Sequence, residues 1–327
     1  MKILEVVDLH KRFPLQQGSS VKAVNGVNFS ISEGETLGVV GESGCGKTTT
    51  GRCVVRLIEP TEGKVMFLGE DISRISHRQF QKLRPKIQIV FQEPYDALNP
   101  RKKVRQILTD PLIVEGKLDK KSRAQRVKEV LDMVELSDDC QNKYPVQLTQ
   151  GEQQRIGVAR SLTTSPQVIV FDEPTSLLDI RFRAEIIGLL ERLQAELGIA
   201  YLFISHDLSV VAQLSHRIVV MYLGRIVEEG PTSSVFNSPV HPYTQALFSS
   251  ALYPDPNQER TGYQLKGEVP SPVNLPDNRC NLAPRCPLVK DACYTALPPL
   301  REVRNGHFAA CILADEANKK NPSAVAE

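Results

Sequence analysis

The residues Gly41-Glu42-Ser43-Gly44-Cys45-Gly46-Lys47-Thr48 fit the pattern G-x-x-x-x-G-K-[ST], a spacing whose chemistry is phosphate binding. The glycines let backbone N–H groups turn inward around phosphate oxygens, and a following helix offers its positive end to the same anion. Lys47 can reach the outer phosphates and the Thr48 hydroxyl can bind a magnesium ion. The string stands between an apolar run, Thr36 to Val40, and a helix-compatible segment, Thr49 to Leu57; Thr49 completes the set of nucleotide-binding candidates. A second set of groups accompanies it. The apolar run Val168 to Phe171 ends in Asp172-Glu173, and strand alternation points the two carboxylates differently. Asp172 can then join the magnesium shell while Glu173 faces an attacking water.

These groups need a scaffold of alternating strands and helices, and the chain supplies the pattern. Ile3 to Leu9, Gly26 to Ile31, Ile87 to Phe91 and Ala200 to Ile204 read as strands, the last two as short continuous apolar runs covered on both faces. Ser122 to Leu136 and Arg183 to Leu197 each carry one apolar helical stripe, and Gly198 supplies a helix stop. The expected fold class is therefore α/β, with a helical subdomain over about 93–165. At 327 residues and 41% hydrophobic content the chain can bury one large core with a smaller annex. The formal net charge of +2, with acids and bases interspersed, gives no electrostatic case for nucleic acid. No apolar run approaches the roughly 20 residues of a membrane span, and Lys2, Glu5 and Asp8 interrupt the start too early for a signal peptide.

Between the two chemical sets stands Leu148-Thr149-Gln150-Gly151-Glu152-Gln153-Gln154-Arg155, which resembles the signature sequence of ABC-type ATPases. The resemblance extends to other elements in family order over about residues 1–230. Gln92 looks like the Q-loop glutamine, which senses magnesium and water, and Ser176-Leu177-Leu178-Asp179 resembles the D-loop with its Asp179. Ile204-Ser205-His206-Asp207 resembles the switch-histidine motif, and Phe13 sits where the family stacks an aromatic ring on adenine. It implies an ABC-type P-loop ATPase core, a RecA-like sheet plus an antiparallel β subdomain. It also implies ATP hydrolysis in which Glu173, His206 and Gln92 are catalytic and Mg2+ is held through Thr48, Gln92 and Asp172. In the family two nucleotide domains sandwich two ATPs, each phosphate loop facing the partner's signature helix. Thr149 can cap the helix beginning at Gly151, aiming a positive end outward. The chain departs from the common Leu-Ser-Gly-Gly form at Thr149 and Gln150, which puts the strength of that shared site in question and motivates a hypothesis of asymmetric hydrolysis in a heterodimer.

Composition changes near Tyr253, where prolines begin to recur. Cys280, Cys286, Cys293 and Cys311 crowd into this last fifth of the chain. An irregular segment of that length needs a cross-link, and four soft ligands suit either zinc or an iron–sulfur cluster. Asn237 to Thr244, Gly267 to Pro272 and the spaced cysteines resemble the C-terminal extension of dipeptide and oligopeptide importer ATPases, in which the cysteines are associated with a [4Fe-4S] cluster of structural role. The expected domain plan is 1–252 for the nucleotide-binding domain and 253–314 for the extension, with the polar stretch 315–327 read as a disordered tail. The resemblance further implies a homologous ATPase subunit, two transmembrane permease subunits and an extracytoplasmic substrate-binding protein as partners. The expected location is peripheral, on the cytoplasmic face of the cell membrane. Import of nickel or another small solute is one alternative. A soluble ABC ATPase is another, although such proteins carry two fused nucleotide domains or a long coiled-coil insertion, and here one phosphate loop precedes the signature by only about 100 residues.

Overall fold

The computed structural model describes residues 1–93, 97–251 and 264–314. In chain order the strands are β1 (Lys2–Pro14), β2 (Ser20–Ser32), β3 (Thr36–Val40), β4 (Glu62–Phe67), β5 (Glu70–Asp71), β6 (Ile87–Val90), β7 (Val168–Asp172), β8 (Ala200–Ile204), β9 (Arg217–Tyr222), β10 (Arg225–Pro231), β11 (Arg301–Arg304) and β12 (His307–Ala309). The helices are α1 (Lys47–Val54), α2 (His77–Leu83), α3 (Val104–Glu115), α4 (Lys120–Met133), α5 (Gln150–Leu162), α6 (Ile180–Leu197), α7 (Leu208–Leu214), α8 (Thr232–Asn237), α9 (Pro242–Ala251) and α10 (Ala292–Thr295). The class is α/β, as the alternation anticipates. The chain divides into two compact units, each assembled from several stretches.

One unit comprises Met1–Glu5, Ser30–Thr36 and Met66–Ile204. Its β6, β7 and β8 pair in parallel, in the register Val90↔Phe171 and Asp172↔Ile204. Every residue of β7 and β8 is buried, which explains why both read as unbroken apolar runs. Phe171 meets Tyr201 edge-on, with ring centroids 5.0 Å apart, a contact worth about 1 kcal/mol beyond its buried area. Helices α3, α4 and α5 pack on one another within 93–165. The α4 stripe buries Val127, Val130 and Leu131. Helix α6 starts three residues before the expected Arg183, because the Asp179 carboxylate accepts the Phe182 N–H and caps it there. At its far end Gly198, with φ of 65°, closes the helix as expected.

The other unit comprises Val6–Phe29, Leu37–Val65 and Ser205–Glu327. Strand β3 runs parallel to β9, β10 returns antiparallel to β9, and β12 and β11 extend the sheet beyond β10. Strands β2, β1 and β4 are neighbours in a second sheet. Both β1 and β2 run several residues longer than the expected Ile3 to Leu9 and Gly26 to Ile31. The extension beyond residue 264 is thus no free appendage. It contributes two sheet strands that its sequence did not suggest, and it bridges Val21 to Val273. Its only described helix has four residues, in keeping with its prolines. The expected boundary near Tyr253 and the expected tail 315–327 lie outside the described residues. Among the described residues no helix is long and apolar enough to cross a membrane.

A buried hydrogen-bond network ties the extension to β10. Glu228, fully buried, accepts the N–H groups of Val240 and His241 at 2.7 and 2.8 Å, and its Oε1 lies 2.7 Å from His307 Nε2. The other nitrogen of His307 meets Ser234 Oγ at 2.9 Å. Burial pushes the neighbouring His241 imidazole down to about 4, against the pull of Glu228, and its Nδ1 accepts the Tyr243 N–H.

Candidate functional site

The phosphate loop lies in the second unit, carried by β3 and α1. Helix α1 begins at Lys47, two residues before the expected Thr49, with Gly46 as its cap. Gly46 has φ of +106°, and a Cβ there would lie 2.1 Å from the Ala23 carbonyl oxygen. Gly41, at φ of +151°, would place one 2.3 Å from the Met221 carbonyl oxygen. Only glycine fits either position. No side chain caps α1 and no acid occupies its first turn, so its amide end keeps its positive character. Buried Lys47 donates from Nζ to the carbonyls of Gly41 at 2.8 Å and Glu42 at 3.0 Å. Burial raises the Cys45 thiol, an effect the nearby Lys47 only partly offsets. Thr50 donates to the Gly46 carbonyl at 3.0 Å and pins the loop to the helix.

Ser43, Gly44, Thr48 and Thr49 complete the loop and first turn. His206 belongs to the same unit. The Ser205 N–H donates to the Val39 carbonyl at 3.2 Å, two residues before Gly41. Asp207 then caps α7 by accepting the Ser209 and Val210 N–H groups. His206 is therefore held between two fixed neighbours alongside the strand that leads into the loop. Phe13, near the end of β1, is 37% exposed, with Lys11 Nζ 5.1 Å from its ring centre.

The remaining candidates lie in the first unit. Asp172 is buried at the end of β7. Glu173 follows with φ of +52°, a conformation that costs a non-glycine residue about 1–3 kcal/mol and persists where the surroundings enforce it. Here its N–H donates to the Ile204 carbonyl at 2.9 Å, and its carbonyl accepts the Ser176 hydroxyl at 3.1 Å. Gln92 is exposed just after β6, and Asp179 is the α6 cap. The signature residues form a capping box: Glu152 N–H donates to Thr149 Oγ1, and Thr149 N–H to Glu152 Oε2 at 2.8 Å. The helix consequently starts at Gln150, one residue before the expected Gly151. Leu148 is buried, Gln150 is exposed, and Gly151 packs under the Phe182 ring.

Cys280, Cys286, Cys293 and Cys311 all line one cavity of about 20 Å³, with Leu282, Pro298 and Leu313 among its other walls. Burial raises the Cys280, Cys286 and Cys311 thiols, Cys311 to about 11, and the neighbouring sulfurs raise them further. Against this, backbone N–H groups point at the sulfurs: Leu282 and Ala283 at Cys280, Leu288 at Cys286, and Leu313 at Cys311. Such donors favour anionic sulfur. Among the described residues, however, no three His, Cys, Asp or Glu side chains are placed to hold a metal ion. Neither the zinc nor the cluster expectation is met by coordination geometry.

Several important residues were not singled out from sequence. The Tyr243 hydroxyl accepts the Glu42 N–H at 2.8 Å, and Arg285 Nη1 lies 3.2 Å from Glu42 Oε2 and 3.4 Å from the Tyr222 hydroxyl. Asp277 accepts hydrogen bonds from Lys22, Asn25 at 3.0 Å and Arg225 at 3.3 Å. Burial would raise its carboxyl, but the donors Lys22 and Asn25 and the nearby cations hold it down at about 2. The only signal was positional. Tyr243 lies in the Asn237 to Thr244 string and Arg285 immediately precedes Cys286, but neither position says what its side chain touches.

A strand–glycine-loop–helix, a second strand ending in two acids, and a boxed helix start after Leu148 together define an ATP-binding cassette. The family described as "ABC transporter" matches residues 24–176, and that described as "Oligopeptide/dipeptide transporter, C-terminal region" matches 227–293. The oligopeptide transport ATP-binding protein AppF of Bacillus subtilis is 45% identical over 320 residues, covering 95% of this chain and 97% of that protein. A putative peptide import ATP-binding protein of Brucella ovis is 44% identical over 95% of this chain and 97% of its own. Among solved structures, a dimeric ATP-binding cassette in a post-hydrolysis state with ADP and phosphate aligns at a TM-score of 0.65. It is 30% identical over 70% of this chain and 99% of its own. The chain belongs to the ATP-binding subunits of ABC transporters, in their oligopeptide/dipeptide branch, and is an ABC-type ATPase.

Proposed function

We propose that the chain powers a dipeptide or oligopeptide importer, as one of two homologous ATPase subunits that sandwich ATP beneath a pair of transmembrane permeases. The observation that carries this reading is one chain holding both an uncapped amide end behind a glycine loop and a boxed signature helix, followed by an extension of the oligopeptide/dipeptide type. The names of its relatives favour peptides over nickel or another small solute as cargo. The subunit then works peripherally on the cytoplasmic face of the membrane, and an extracytoplasmic binding protein delivers the cargo.

The reaction is transfer of the γ-phosphoryl group to water. Lys47 and the amides of residues 43–48 hold the outer phosphates, Phe13 stacks on the base, and Glu173 polarises the water. His206 contacts the γ-phosphate, and Thr149 with the α5 amides meets the triphosphate of the opposing subunit. Magnesium, which Thr48, Gln92 and Asp172 would hold, offsets phosphate charge when bound. Glu173→Gln is expected to keep ATP affinity while lowering turnover roughly 10²–10⁴-fold; wild-type turnover in that variant would overturn the assignment of the base. Co-purification from membranes with two permeases and a second ATPase, together with ATP-dependent peptide uptake by the reconstituted complex, tests the transport reading.

The four cysteines are assigned to a structural [4Fe-4S] cluster. What supports a bound group here is that the four cysteines line one cavity with amides aimed at their sulfurs, and the likeness of the segment to the oligopeptide/dipeptide C-terminal region favours a cluster over zinc. Iron and acid-labile sulfide analysis of anaerobically purified protein decides it, with four of each expected per chain.

A further inference from the structure

A carboxylate is an odd presence in a loop that must hold a polyphosphate. Glu42 is the second residue of the phosphate loop, and its negative charge opposes the nucleotide unless something cancels it. The described residues place one cation on it. Arg285 Nη1 lies 3.2 Å from Glu42 Oε2. Arg285 is itself buried, sits over the Tyr222 ring, and contacts the Tyr222 hydroxyl at 3.4 Å. Glu42 is held at two further atoms. Its N–H donates to the Tyr243 hydroxyl, and its carbonyl accepts from Lys47 Nζ. Tyr222 and Tyr243 pack ring to ring at 4.6 Å, so the guanidinium and the loop amide rest on one aromatic pair.

Arg285 is in turn fixed by the cysteine-rich extension. Its N–H donates to the Leu282 carbonyl at 2.8 Å, its carbonyl accepts the Lys266 N–H at 2.9 Å, and Cys286 is the next residue. We propose that Arg285 is a positioning residue of the ATP site: by neutralising Glu42 it sets the nucleotide affinity of the phosphate loop, and it makes that affinity depend on the fold of the extension. The proposal rests on the reading of Gly41 to Thr48 as the nucleotide site. At an effective dielectric of about 20, one unit charge several ångströms from a polyphosphate changes its binding by roughly ten- to a hundredfold. The effect must grow with the charge of the ligand, from ADP to ATP, and shrink as salt rises.

Nucleotide binding to the purified full chain is measured by titration calorimetry with MgATP and MgADP, for wild type, R285Q, E42Q, the E42Q/R285Q double variant and R285K. Affinity for MgATP is expected to follow the summed charge of the two positions. E42Q binds most tightly, wild type and the double variant are alike, and R285Q is weakest by roughly tenfold or more. R285K keeps the charge and stays near wild type. The spacing is wider for ATP than for ADP and narrows between low and high salt, and the KM for ATP rises in R285Q with kcat little changed. A double variant as weak as R285Q would falsify charge neutralisation and leave Arg285 a packing residue. Where R285Q fails to fold, E42Q decides alone: tighter ATP binding upholds the proposal and weaker binding overturns it. Lys47→Ala separates the two levels. If it binds ATP like wild type, the nucleotide site is misassigned; if it loses binding while the charge ladder is flat, only the role of Arg285 fails.

Discussion

The two helices proposed to meet phosphate at their N-terminal ends are built in opposite ways. Helix α1 starts from a left-handed glycine, has no side-chain cap and carries no acid in its first turn. Helix α5 starts inside a reciprocal capping box and carries Glu152 at its third position. The α1 amides are therefore left for the ligand, and the loop before them is shaped by backbone contacts too close for any Cβ. The box on α5 satisfies one of that helix's own orphan donors and places a carboxylate beside the positive end. An end of the first kind binds an anion by itself; one of the second kind is stable without one and contributes to a phosphate already held elsewhere. Under the proposed function, this difference assigns primary nucleotide binding to the α1 end and completion of a shared site to the α5 end.

The sharpest way to break this contrast is to add one methyl group to each helix start. Gly46→Ala forces a Cβ to within 2.1 Å of the Ala23 carbonyl at a φ of +106°, and is expected to abolish nucleotide binding and cost about 3 kcal/mol or more in denaturant unfolding. Gly151→Ala meets only the Phe182 ring at 3.3 Å. It is expected to stay within about 1 kcal/mol of wild type and keep monomer nucleotide affinity while losing ATP-driven dimerisation. Equal effects on nucleotide affinity would erase the distinction.

Thr149→Ala removes the cap on α5 and is expected to cost about 1 kcal/mol of stability, with nucleotide affinity of the isolated chain unchanged. Its melting midpoint and its MgATP titration are to be read together. A fall in affinity would mean that the signature helix already shapes the site of its own chain.

The smallest expected effect concerns the support of the loop. Asp277 joins Lys22, Asn25 and Arg225; Lys22 and Arg225 adjoin Ala23 and Gly224, which crowd Gly46, the Asn25 N–H donates to the Gly224 carbonyl, and the Gly224 N–H holds the Cys45 carbonyl. Its carboxyl is held at about 2, below the ordinary 3.8. The sign follows directly: this stabilisation is complete above about pH 4 and is lost as pH falls through 2. Since the Asp277 side chain is 56% exposed, solvent screening limits its worth to about 1 kcal/mol or less. Asp277→Asn should therefore lower the melting temperature slightly at pH 7, and the gap to wild type should narrow as pH falls toward 2. A gap as wide at pH 2 as at pH 7 would assign the effect to lost packing.

How much of this could be read beforehand depended on the distance over which each feature is written. The phosphate loop, the Asp172-Glu173 strand end and the Thr149 cap are short strings whose neighbours in sequence are their neighbours in space. The helix starts shifted by one to three residues because the cap decides where a helix begins: Gly46 admits Lys47, Thr149 admits Gln150 and Asp179 admits Ile180. The clasp of Asp277 on Lys22 and the hold of Arg285 on Glu42 join residues far apart in the chain, and no periodicity announces them. Strands β11 and β12 were missed for a related reason. They are three or four residues long in a proline-bearing region, and only the exposed edge of β10 makes them strands.

That pairing has a consequence for how the protein is made. The register Glu228↔Ala309 means that the backbone of β10 leaves the ribosome about 80 residues ahead of its partner, an interval of roughly 4–16 s at ordinary translation speeds. Throughout that interval β10 presents an open ladder to any passing strand, and Glu228 waits without His307. A chain cut short before residue 307 would lose more than Cys311: it would be released with a permanently bare sheet edge and a carboxylate stripped of one of its partners, a combination that favours aggregation over a smaller working enzyme.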